Sequence, residues 1–281
     1  LDAFQERMHT VRGHAGQIQV AKNMRLLTQG SEILERCQGA RVQDAYALRC
    51  IPQVHGAVRD ALEFVKSKVD IELNAVTDNP LLFCEDEAVI SGGNFHGEPM
   101  ALPFDLLGIA CAEIAGISER RIERMVNAAL SNGLTRFLTT EGGVNSGFMI
   151  VQYTAASMVS ENKVFAHPAC VDSIPSSANQ EDFVSMGTTA ARKAGSILEN
   201  TRSVLAYELL TACQAVDIRR RVGDYGSGLS PVDEAIFRHV REKVPFMELD
   251  REIWPDIQAV EAMVRSGELL ELAEQMVPEF T

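Results

Sequence analysis

The apolar side chains of this chain recur mainly at the spacing of an α-helix. A first stripe, with steps of three and four residues, crosses residues 53–75 at Val54, Val58, Leu62, Val65 and Val69. The same spacing predicts long helices over residues 98–131, 144–166 and 181–214. Helices of this length exceed the usual three turns, and each must cover its stripe against its neighbours. We therefore expect an all-α fold, built as a bundle of long helices.

Two segments interrupt the helical pattern. Residues 80–93, PLLFCEDEAVISGG, place two short apolar runs on either side of an acidic turn, which predicts a small β-hairpin near 81–92. Residues 219–233, RRRVGDYGSGLSPVD, concentrate Gly and Ser before Pro231 and are typical of a linker. We therefore expect a central long-helix bundle with active-site loops over residues 1–218 and a C-terminal segment of shorter helices over 219–281.

The composition excludes several classes of function. The 281 residues, of which 46% are hydrophobic and 23% charged, are typical of a folded globular protein. A net charge of −13 argues against nucleic acid or an anionic membrane as a partner, since both select a basic surface. A small anionic substrate stays compatible, because it needs only one well-placed Arg. No unbroken apolar run approaches the roughly 20 residues of a membrane span.

The cysteines and the first residues bear on the compartment of the protein. Six cysteines are scattered without the close spacing of a zinc site or a disulfide framework. Reduced thiols in a cytoplasm are the simplest interpretation, and we expect a cytoplasmic protein without a bound metal. The first residues, LDAFQERMHT, have neither a signal-peptide pattern nor an initial Met, so we expect a cut or processed chain.

The first candidate for chemistry is the segment RVQDAYALRCIPQVHG at 41–56. Gln43, Tyr46 and Arg49 follow one another at steps of three, so a helix or tight turn projects an amide, a phenol and a guanidinium towards one side. Arg49 suits a carboxylate, as an amino-acid substrate would present. Pro52 predicts a bend just after Arg49. The alternative is an ordinary helix end, with Arg49 paired to Asp44 or to carbonyl groups.

Two further segments combine glycines with polar or aromatic side chains. In SGGNFHGEP at 91–99, paired glycines precede Asn94, Phe95 and His96, and a turn between hairpin and helix explains only the glycines. In EGGVNSGFMIVQ at 141–152, paired glycines precede a helix that carries Met149, although Met and Phe at helical spacing are more often core. The charged run SERRIER at 118–124 indicates a solvated or subunit-facing helix surface.

The segment VDSIPSSANQEDFVSMG at 171–187 offers a possible anchor for a ligand. A loop of small residues opens onto Gln180, Glu181 and Asp182, and a long helical pattern follows. Unpaired backbone N–H groups at a helix start favour negative charge, so Glu181 would be an ionised carboxylate ready for a ligand. The alternative is ordinary capping, with Asn179 as the N-cap and Asp182 three residues later.

Seven motifs together resemble the aromatic amino acid ammonia-lyase family: RVQDAYALRC, NAVTDNPLLF, VISGGNFHGEP, SERRIERM, GVNSGFMIVQ, HPACVDSIPSSANQEDFVSMG and ENTRSVLAYELL. They occur in the order and approximate spacing of that family, over roughly residues 1–220. NQED at 179–182 and NSGFM at 145–149 are most similar to the branch that acts on histidine. Phenylalanine lyases usually carry a different residue where Glu181 stands.

The resemblance implies a fold, an assembly and a reaction. The fold is the helical bundle of the fumarase and ammonia-lyase type, assembled as a homotetramer whose active sites draw on several subunits. The reaction is the first step of histidine breakdown, the conversion of L-histidine to trans-urocanate and ammonia. The family's electrophile is a methylidene-imidazolone (MIO), made by cyclisation of an Ala-Ser-Gly tripeptide. The substrate amine adds to this group, a base removes a β-proton, and ammonia leaves.

The resemblance also assigns roles by motif. Arg49 binds the substrate carboxylate, while Glu181 and Met149 contact the imidazole. A phenyl ring would leave the carboxylate of Glu181 without a partner, which disfavours phenylalanine by a few kcal/mol. Tyr46 lies close to the reacting centre, Gln43 supports the site by hydrogen bonding, and Phe95 packs near the electrophile. The expected catalytic residues are thus Tyr46, Glu181 and Phe95, and the expected substrate-binding residues are Arg49, Gln43, Met149 and Gln180.

The chain departs from the family in one respect. It contains no Ala-Ser-Gly tripeptide; the nearest strings are Ala-Ser-Met at 156–158 and Gly-Ser-Gly at 226–228. Family members carry the tripeptide, with further catalytic residues, in an N-terminal half that is absent here. We therefore expect the C-terminal part of such an enzyme, inactive alone. Two alternatives stay open: a lyase or aminomutase for tyrosine or phenylalanine, and a non-catalytic helical subunit of a split lyase.

Overall fold

A computed structural model describes residues 2–40, 42–223 and 228–280. Within these ranges the chain forms eleven α-helices and one two-stranded sheet. The helices are α1 (Glu6–Thr10), α2 (Ala15–Leu27), α3 (Glu32–Arg36), α4 (Tyr46–Arg49), α5 (Ile51–Glu72), α6 (Glu98–Val126), α7 (Met149–Phe165), α8 (Gly187–Val222), α9 (Pro231–Lys243), α10 (Trp254–Ser266) and α11 (Glu268–Met276). The strands are β1 (Leu81–Phe83) and β2 (Ala88–Ile90). The predicted all-α fold with one hairpin is confirmed.

The hairpin forms where the sequence predicts it. β1 and β2 pair antiparallel, with Leu82 opposite Val89 at the centre of the register. Residues 84–87, CEDE, form the turn, and Glu87 adopts a positive φ of 51° there. After β2, the side chain of Asn79 accepts hydrogen bonds from the Ser91 hydroxyl (3.1 Å) and the Gly92 N–H (2.7 Å). These bonds tie the polar loop that follows the hairpin to the segment that precedes it.

The start of α8 differs from the prediction. The apolar spacing predicts a helix from residue 181, but the helix begins at Gly187. Ser177, Ala178 and Asn179 all have positive φ values, and so does Met186 (55°), immediately before the helix. A right-handed helix cannot contain residues in the left-handed region, so the chain enters α8 only after Met186. At its other end α8 extends to Val222, eight residues beyond the predicted 214.

The apolar stripes are buried only in part within this chain. On α5, Val58 and Val65 are buried, whereas Leu62 is 40% exposed. On α6, the fully buried positions include Ala101 and Ile122, whereas Leu102 is 55% exposed. Helical periodicity identifies the apolar positions of a helix correctly, but it does not identify which of them face the chain's own core.

The predicted linker at 219–233 falls partly outside the described residues, which omit 224–227. On either side of that gap, α8 ends at Val222 and α9 begins at Pro231. The Ser230 hydroxyl caps α9 by accepting a hydrogen bond from the Asp233 N–H at 3.0 Å. The three helices that follow have 13, 13 and 9 residues.

The chain divides into two compact units. The first comprises Leu1–Arg59, Glu113–Glu161 and Glu199–Thr281. Its hydrophobic core includes side chains that are at most 3% exposed, such as Leu138, Phe148, Val204, Leu210, Val240 and Met263. The second unit comprises Asp60–Ala112 and Asn162–Leu198. Small residues let its helices approach closely, because a Cβ on Gly108 of α6 would lie 3.1 Å from Ile197 Cδ1 of α8.

Among the described residues, one helix, α6, is long and apolar enough to cross a membrane by length and composition. Its most apolar stretch has a mean hydropathy of 1.7, and 33% of that stretch is buried. Asp105 and Glu113 interrupt the apolar sequence of this helix, so it contains no unbroken apolar run of about 20 residues, in agreement with the sequence pattern. The core helix of a globular protein meets the same criteria.

Candidate active site

The first unit brings Gln43, Tyr46 and Arg49 together, as their spacing predicts. Tyr46 and Arg49 are the first and last residues of α4, and Gln43 lies just before it. The Arg49 guanidinium donates a hydrogen bond to the Gln43 side-chain oxygen, and its carbon lies 4.9 Å from the centre of the Tyr46 ring. Tyr46 is 73% exposed. An amide, a phenol and a guanidinium thus share one accessible face, and Arg49 does not use Asp44 as its partner.

The junction between α4 and α5 fixes this face. The helical conformation is interrupted at Cys50, just after Arg49, where the sequence predicts a bend. Ile51 already belongs to α5. One turn into α5, Gly56 packs on α2: a Cβ there would lie 2.4 Å from the backbone of Gln17. Only glycine permits that approach. The start of α5, and with it the position of Arg49, is therefore set by backbone packing within the unit.

The first unit also contains the loop that leads to Met149. Phe148 is 1% exposed and belongs to the core, as the alternative interpretation of this segment holds. Its N–H donates a hydrogen bond to the Phe137 carbonyl at 2.8 Å. Met149 follows as the first residue of α7 and is half-buried. Of Phe148 and Met149, Met149 is thus the one that retains a surface towards solvent.

The charged run SERRIER, predicted as a solvated or subunit-facing helix surface, is not solvated at its inward-facing residues, and the first alternative is wrong for them. Ser118, Glu119 and Ile122 are at most 3% exposed. The Arg121 side chain, 10% exposed, forms a two-pronged ion pair with Glu208 of α8, with Nη2 and Oε2 2.8 Å apart. Arg120, by contrast, is 59% exposed. The sequence carried a signal for this pair, since Glu208 stands alone as a charge in the apolar run VLAYELLTAC.

In the second unit, His96 joins two loops that are distant in sequence. Its Nε2 lies 3.1 Å from the Phe183 carbonyl, and the two rings stack with centres 6.1 Å apart. Its Nδ1 accepts a hydrogen bond from the Glu98 N–H at 3.3 Å. This bonding fits a neutral ring that donates through Nε2. His96 thereby ties the loop of Phe95 to the segment of Glu181, while Phe95 itself stays 56% exposed.

Glu181 does not stand at a helix start, so the predicted electrostatic reason for its charge is wrong. It pairs instead with Ser176 across a short antiparallel bridge, with Ser176 N to Glu181 O at 2.8 Å. The Ser176 hydroxyl also donates to Glu181 Oε2 at 2.6 Å. Asn179 is not an N-cap either, because it lies in the left-handed turn between the two bridged residues. Gln180 and Glu181 are both exposed.

The turn at 177–179 holds this carboxylate in place at a cost. Three successive non-glycine residues have φ values of 51°, 55° and 70°. Each such residue costs on the order of 1 kcal/mol relative to the right-handed region. Strained backbone of this kind persists where surrounding contacts define it, and here the Ser176–Glu181 bridge closes the turn. The strained turn leaves Gln180 and Glu181 exposed at the surface of the unit.

The two halves of the predicted site lie in different units. Gln43, Tyr46, Arg49 and Met149 belong to the first unit, and Phe95, Gln180 and Glu181 belong to the second. Within the described residues, no group of three His, Cys, Asp or Glu side chains is arranged to hold a metal ion. Each unit thus presents a cluster of polar and aromatic side chains. The first unit has a guanidinium with a phenol, and the second has a carboxylate with an aromatic ring.

Known proteins resemble the chain over nearly its whole length. It is 58% identical to the histidine ammonia-lyase of Caldanaerobacter subterraneus, over 98% of this chain and 53% of that protein. The crystal structure of histidine ammonia-lyase from Trypanosoma cruzi superimposes with a TM-score of 0.89 at 44% identity, covering 99% of this chain and 51% of that one. Tyrosine aminomutase from Streptomyces globisporus gives 0.87 at 39% identity, covering 98% and 55%.

These relatives fix the family and leave a difference in length. The chain spans about half the length of the curated relatives it matches. For the histidine ammonia-lyases of Fusobacterium nucleatum and Caldanaerobacter subterraneus, it covers 53% of each protein. The sequence profile of the aromatic amino acid lyases matches residues 1–242, which include every residue of the predicted site. The chain belongs to the aromatic amino acid lyase family.

Proposed function

We propose that this chain forms part of an ammonia-lyase that converts L-histidine to trans-urocanate and ammonia. The observation that carries the proposal is the 58% identity with a histidine ammonia-lyase over nearly the whole chain. Two local arrangements support it. In the first unit, the Arg49 guanidinium has donors available for a carboxylate. In the second unit, the Glu181 carboxylate has an oxygen available to accept a hydrogen bond from a ring N–H.

Arg49 is proposed to bind the substrate carboxylate. Gln43 accepts a hydrogen bond from Nη1, and no partner within the described part of the chain occupies the edge formed by Nε and Nη2. That edge matches the two oxygens of a carboxylate. Gln43 would thus support the site by orienting the guanidinium. The exposed Tyr46 hydroxyl, on the same face, would donate a hydrogen bond or accept a proton close to the reacting centre.

Glu181 is proposed to recognise the imidazole. The Ser176 hydroxyl holds Oε2, which leaves Oε1 to accept a ring N–H or to help move its proton. Gln180 and Met149 would complete the contacts with the ring. A phenyl ring would leave the carboxylate unpartnered once water is excluded, at a cost of about 1–3 kcal/mol. This selects histidine over phenylalanine.

The family's electrophile does not fit within this chain. MIO requires an Ala-Ser-Gly tripeptide, and the 281 residues contain none. We therefore propose that polypeptide outside these residues supplies it. The exposed ring of Phe95 would pack near that group. The 281-residue chain alone is proposed to have no lyase turnover.

The assembly and compartment are part of the same proposal. Large apolar side chains stay exposed in the single chain, among them Tyr153 (60%), Val164 (71%) and Ile174 (53%). Monomeric proteins rarely leave so many uncovered, so we propose a homotetramer, checked by sedimentation of the complete gene product. A stable monomer at micromolar concentration would contradict it. A cytoplasmic location, and a division into residues 1–218 and 219–281, complete the proposal.

A second candidate function is supported by the likeness to tyrosine aminomutase, with a TM-score of 0.87 at 39% identity. An aminomutase returns the amine to the neighbouring carbon instead of releasing it. The two candidates predict different products from different substrates. Histidine should yield urocanate and free ammonia in the first case, and tyrosine should yield a β-amino acid in the second.

The complete gene product that contains this chain should be assayed with L-histidine, L-tyrosine and L-phenylalanine. We expect urocanate absorbance and stoichiometric ammonia from histidine, and little product from the other two. Turnover of tyrosine with no turnover of histidine would replace the first proposal with the second. The 281-residue chain alone is the matched control, and sustained turnover by it would refute the claim that the electrophile lies outside it.

A further inference from the structure

Asp250 lies in the loop between α9 and α10 and grips the segment that leads into α7. Its carboxylate accepts hydrogen bonds from the N–H groups of Ser146 (2.6 Å, to Oδ2) and Gly147 (2.8 Å, to Oδ1). Its own N–H donates to the side-chain oxygen of Asn145 at 2.9 Å. Three hydrogen bonds thus join two segments more than 100 residues apart. All of these residues belong to the first unit.

The other side of the same segment is fixed as well. Gly147 has a φ of +56°, and a Cβ there would lie 2.4 Å from the Phe137 carbonyl oxygen. That oxygen accepts the Phe148 N–H at 2.8 Å, and the Phe148 ring is anchored in the core. Residues 145–148 therefore lie between the Asp250 carboxylate and a backbone carbonyl. A side chain at Gly147 would therefore clash with the Phe137 carbonyl, so the close approach on this side requires glycine.

The residue that follows this clamp is Met149, the first residue of α7. A half-buried Met has three rotatable bonds and adapts to its surroundings, so the position of its backbone decides where its thioether lies. The clamp sets that backbone position. Its charged member comes from the C-terminal segment, to which neither the motifs nor the resemblance assign a part in the site.

We propose that Asp250 is a positioning residue for substrate recognition: by holding residues 145–148 it places Met149 against the substrate ring. The inference rests on the proposed function, in which Met149 contacts the imidazole. Asp250 itself touches no substrate. Its effect should therefore appear in substrate binding and should pass through Met149.

The test uses the complete gene product and the variants Asp250→Asn, Met149→Ala and the double variant. In Asp250→Asn an NH2 group replaces one accepting oxygen, so one backbone N–H loses its partner. We expect the KM for L-histidine to rise by about tenfold and kcat to change by less than about threefold. Met149→Ala should raise the KM similarly. The double variant should have the same KM as Met149→Ala alone. Once the Met149 side chain is removed, the position of its backbone no longer affects substrate binding.

A control variant and a second measurement distinguish this positioning role from a general loss of stability. Glu248→Gln removes a carboxylate two residues away, which pairs with Arg221 at the exposed surface, and it should leave the KM unchanged. Hydrogen exchange of the peptide covering residues 141–150 should accelerate in Asp250→Asn but not in Glu248→Gln. This second readout does not depend on activity and applies even if the variant loses turnover.

Each outcome bears on a different claim. An unchanged KM in Asp250→Asn, or KM effects that multiply fully in the double variant, would overturn the positioning role. Unchanged exchange in residues 141–150 would overturn the clamp itself. A wild-type protein that does not turn over histidine would instead overturn the proposed function, while the exchange result would still test the clamp.

Discussion

The Arg121 guanidinium and the Glu208 carboxylate form a two-pronged ion pair, with Nη2 and Oε2 2.8 Å apart and side chains only 10% and 20% exposed. The Ser118 hydroxyl donates a further hydrogen bond to Glu208 at 2.6 Å. On the other side of the guanidinium, His55 Nε2 lies 3.4 Å from Arg121 Nη1. This network links α6 and α8 to the start of α5, six residues after Arg49. It therefore supports the junction that presents the candidate carboxylate-binding face.

Replacing Glu208 with Gln should destabilise the protein by roughly 2–4 kcal/mol, because it leaves the guanidinium of Arg121 largely buried without its counter-charge. Urea denaturation of the purified chain measures the change. The same substitution at Glu199, which pairs with Arg265 at side-chain exposures of 52% and 59%, is the matched control. It should cost less than about 1 kcal/mol. Equal losses in the two variants would contradict the special role of the inner pair.

The stability of the protein should fall as the pH drops from about 6.5 towards 4. Burial, together with the positive charge of Arg121, lowers the pKa of His55 from 6.5 to about 4, while Glu208 opposes this shift. Between these pH values the unfolded chain binds a proton that the folded chain does not, so acid favours unfolding. The loss should reach at most about 3 kcal/mol.

The variant His55→Gln isolates this contribution, because Gln keeps a polar side chain but does not titrate. Unfolding midpoints measured between pH 4 and pH 7 should depend less steeply on pH in this variant than in the wild type. Parallel pH profiles for the two proteins would show that His55 is not responsible.

Replacing Arg49 with Lys in the complete gene product should raise the KM for L-histidine by about 10- to 100-fold. Lys keeps the charge but cannot form two parallel hydrogen bonds with a carboxylate, and such charged bonds contribute about 1.5–3 kcal/mol. Inhibition by histamine, which lacks the carboxylate, should not change. Arg36→Lys, at an exposed position of α3, is the control. Weaker histamine binding in Arg49→Lys would argue for a general distortion of the site.

Replacing Glu181 with Gln should lower the kcat for histidine by about 100-fold or more, because Gln cannot take up the ring proton. The neighbouring exposed residue offers a control, since Asp182→Asn removes a charge without touching the Ser176 bridge. The rate of urocanate formation measures both variants. If Glu181→Gln retained full turnover, the histidine assignment would lose its main local support.

The elements that the sequence predicts are those decided by neighbouring residues. Tyr46 and Arg49 share a face because a step of three does so in a helical turn, whereas Gln43, which precedes α4, joins them by accepting a hydrogen bond from Arg49. The hairpin between Leu81 and Ile90 follows from two short apolar runs around a polar turn. The boundaries of α5 at Ile51 and of α6 at Glu98 agree with the apolar pattern to within a few residues. These are local preferences, and they hold before any long-range contact forms.

Tertiary contacts alone decided the rest. Apolar spacing continues from residue 181, yet left-handed residues at 177–179 and at Met186 delay α8 to Gly187, in a loop that the distant His96 contacts at the Phe183 carbonyl. Arg120 and Arg121 are identical in type and adjacent, but only Arg121 contacts Glu208 and is largely buried. Asp250 reaches Ser146 and Gly147 from more than 100 residues away. The sequence by itself determined the periodicity and the chemical groups; packing selected their partners, because burying a charge is favourable only where a distant segment supplies the compensating group.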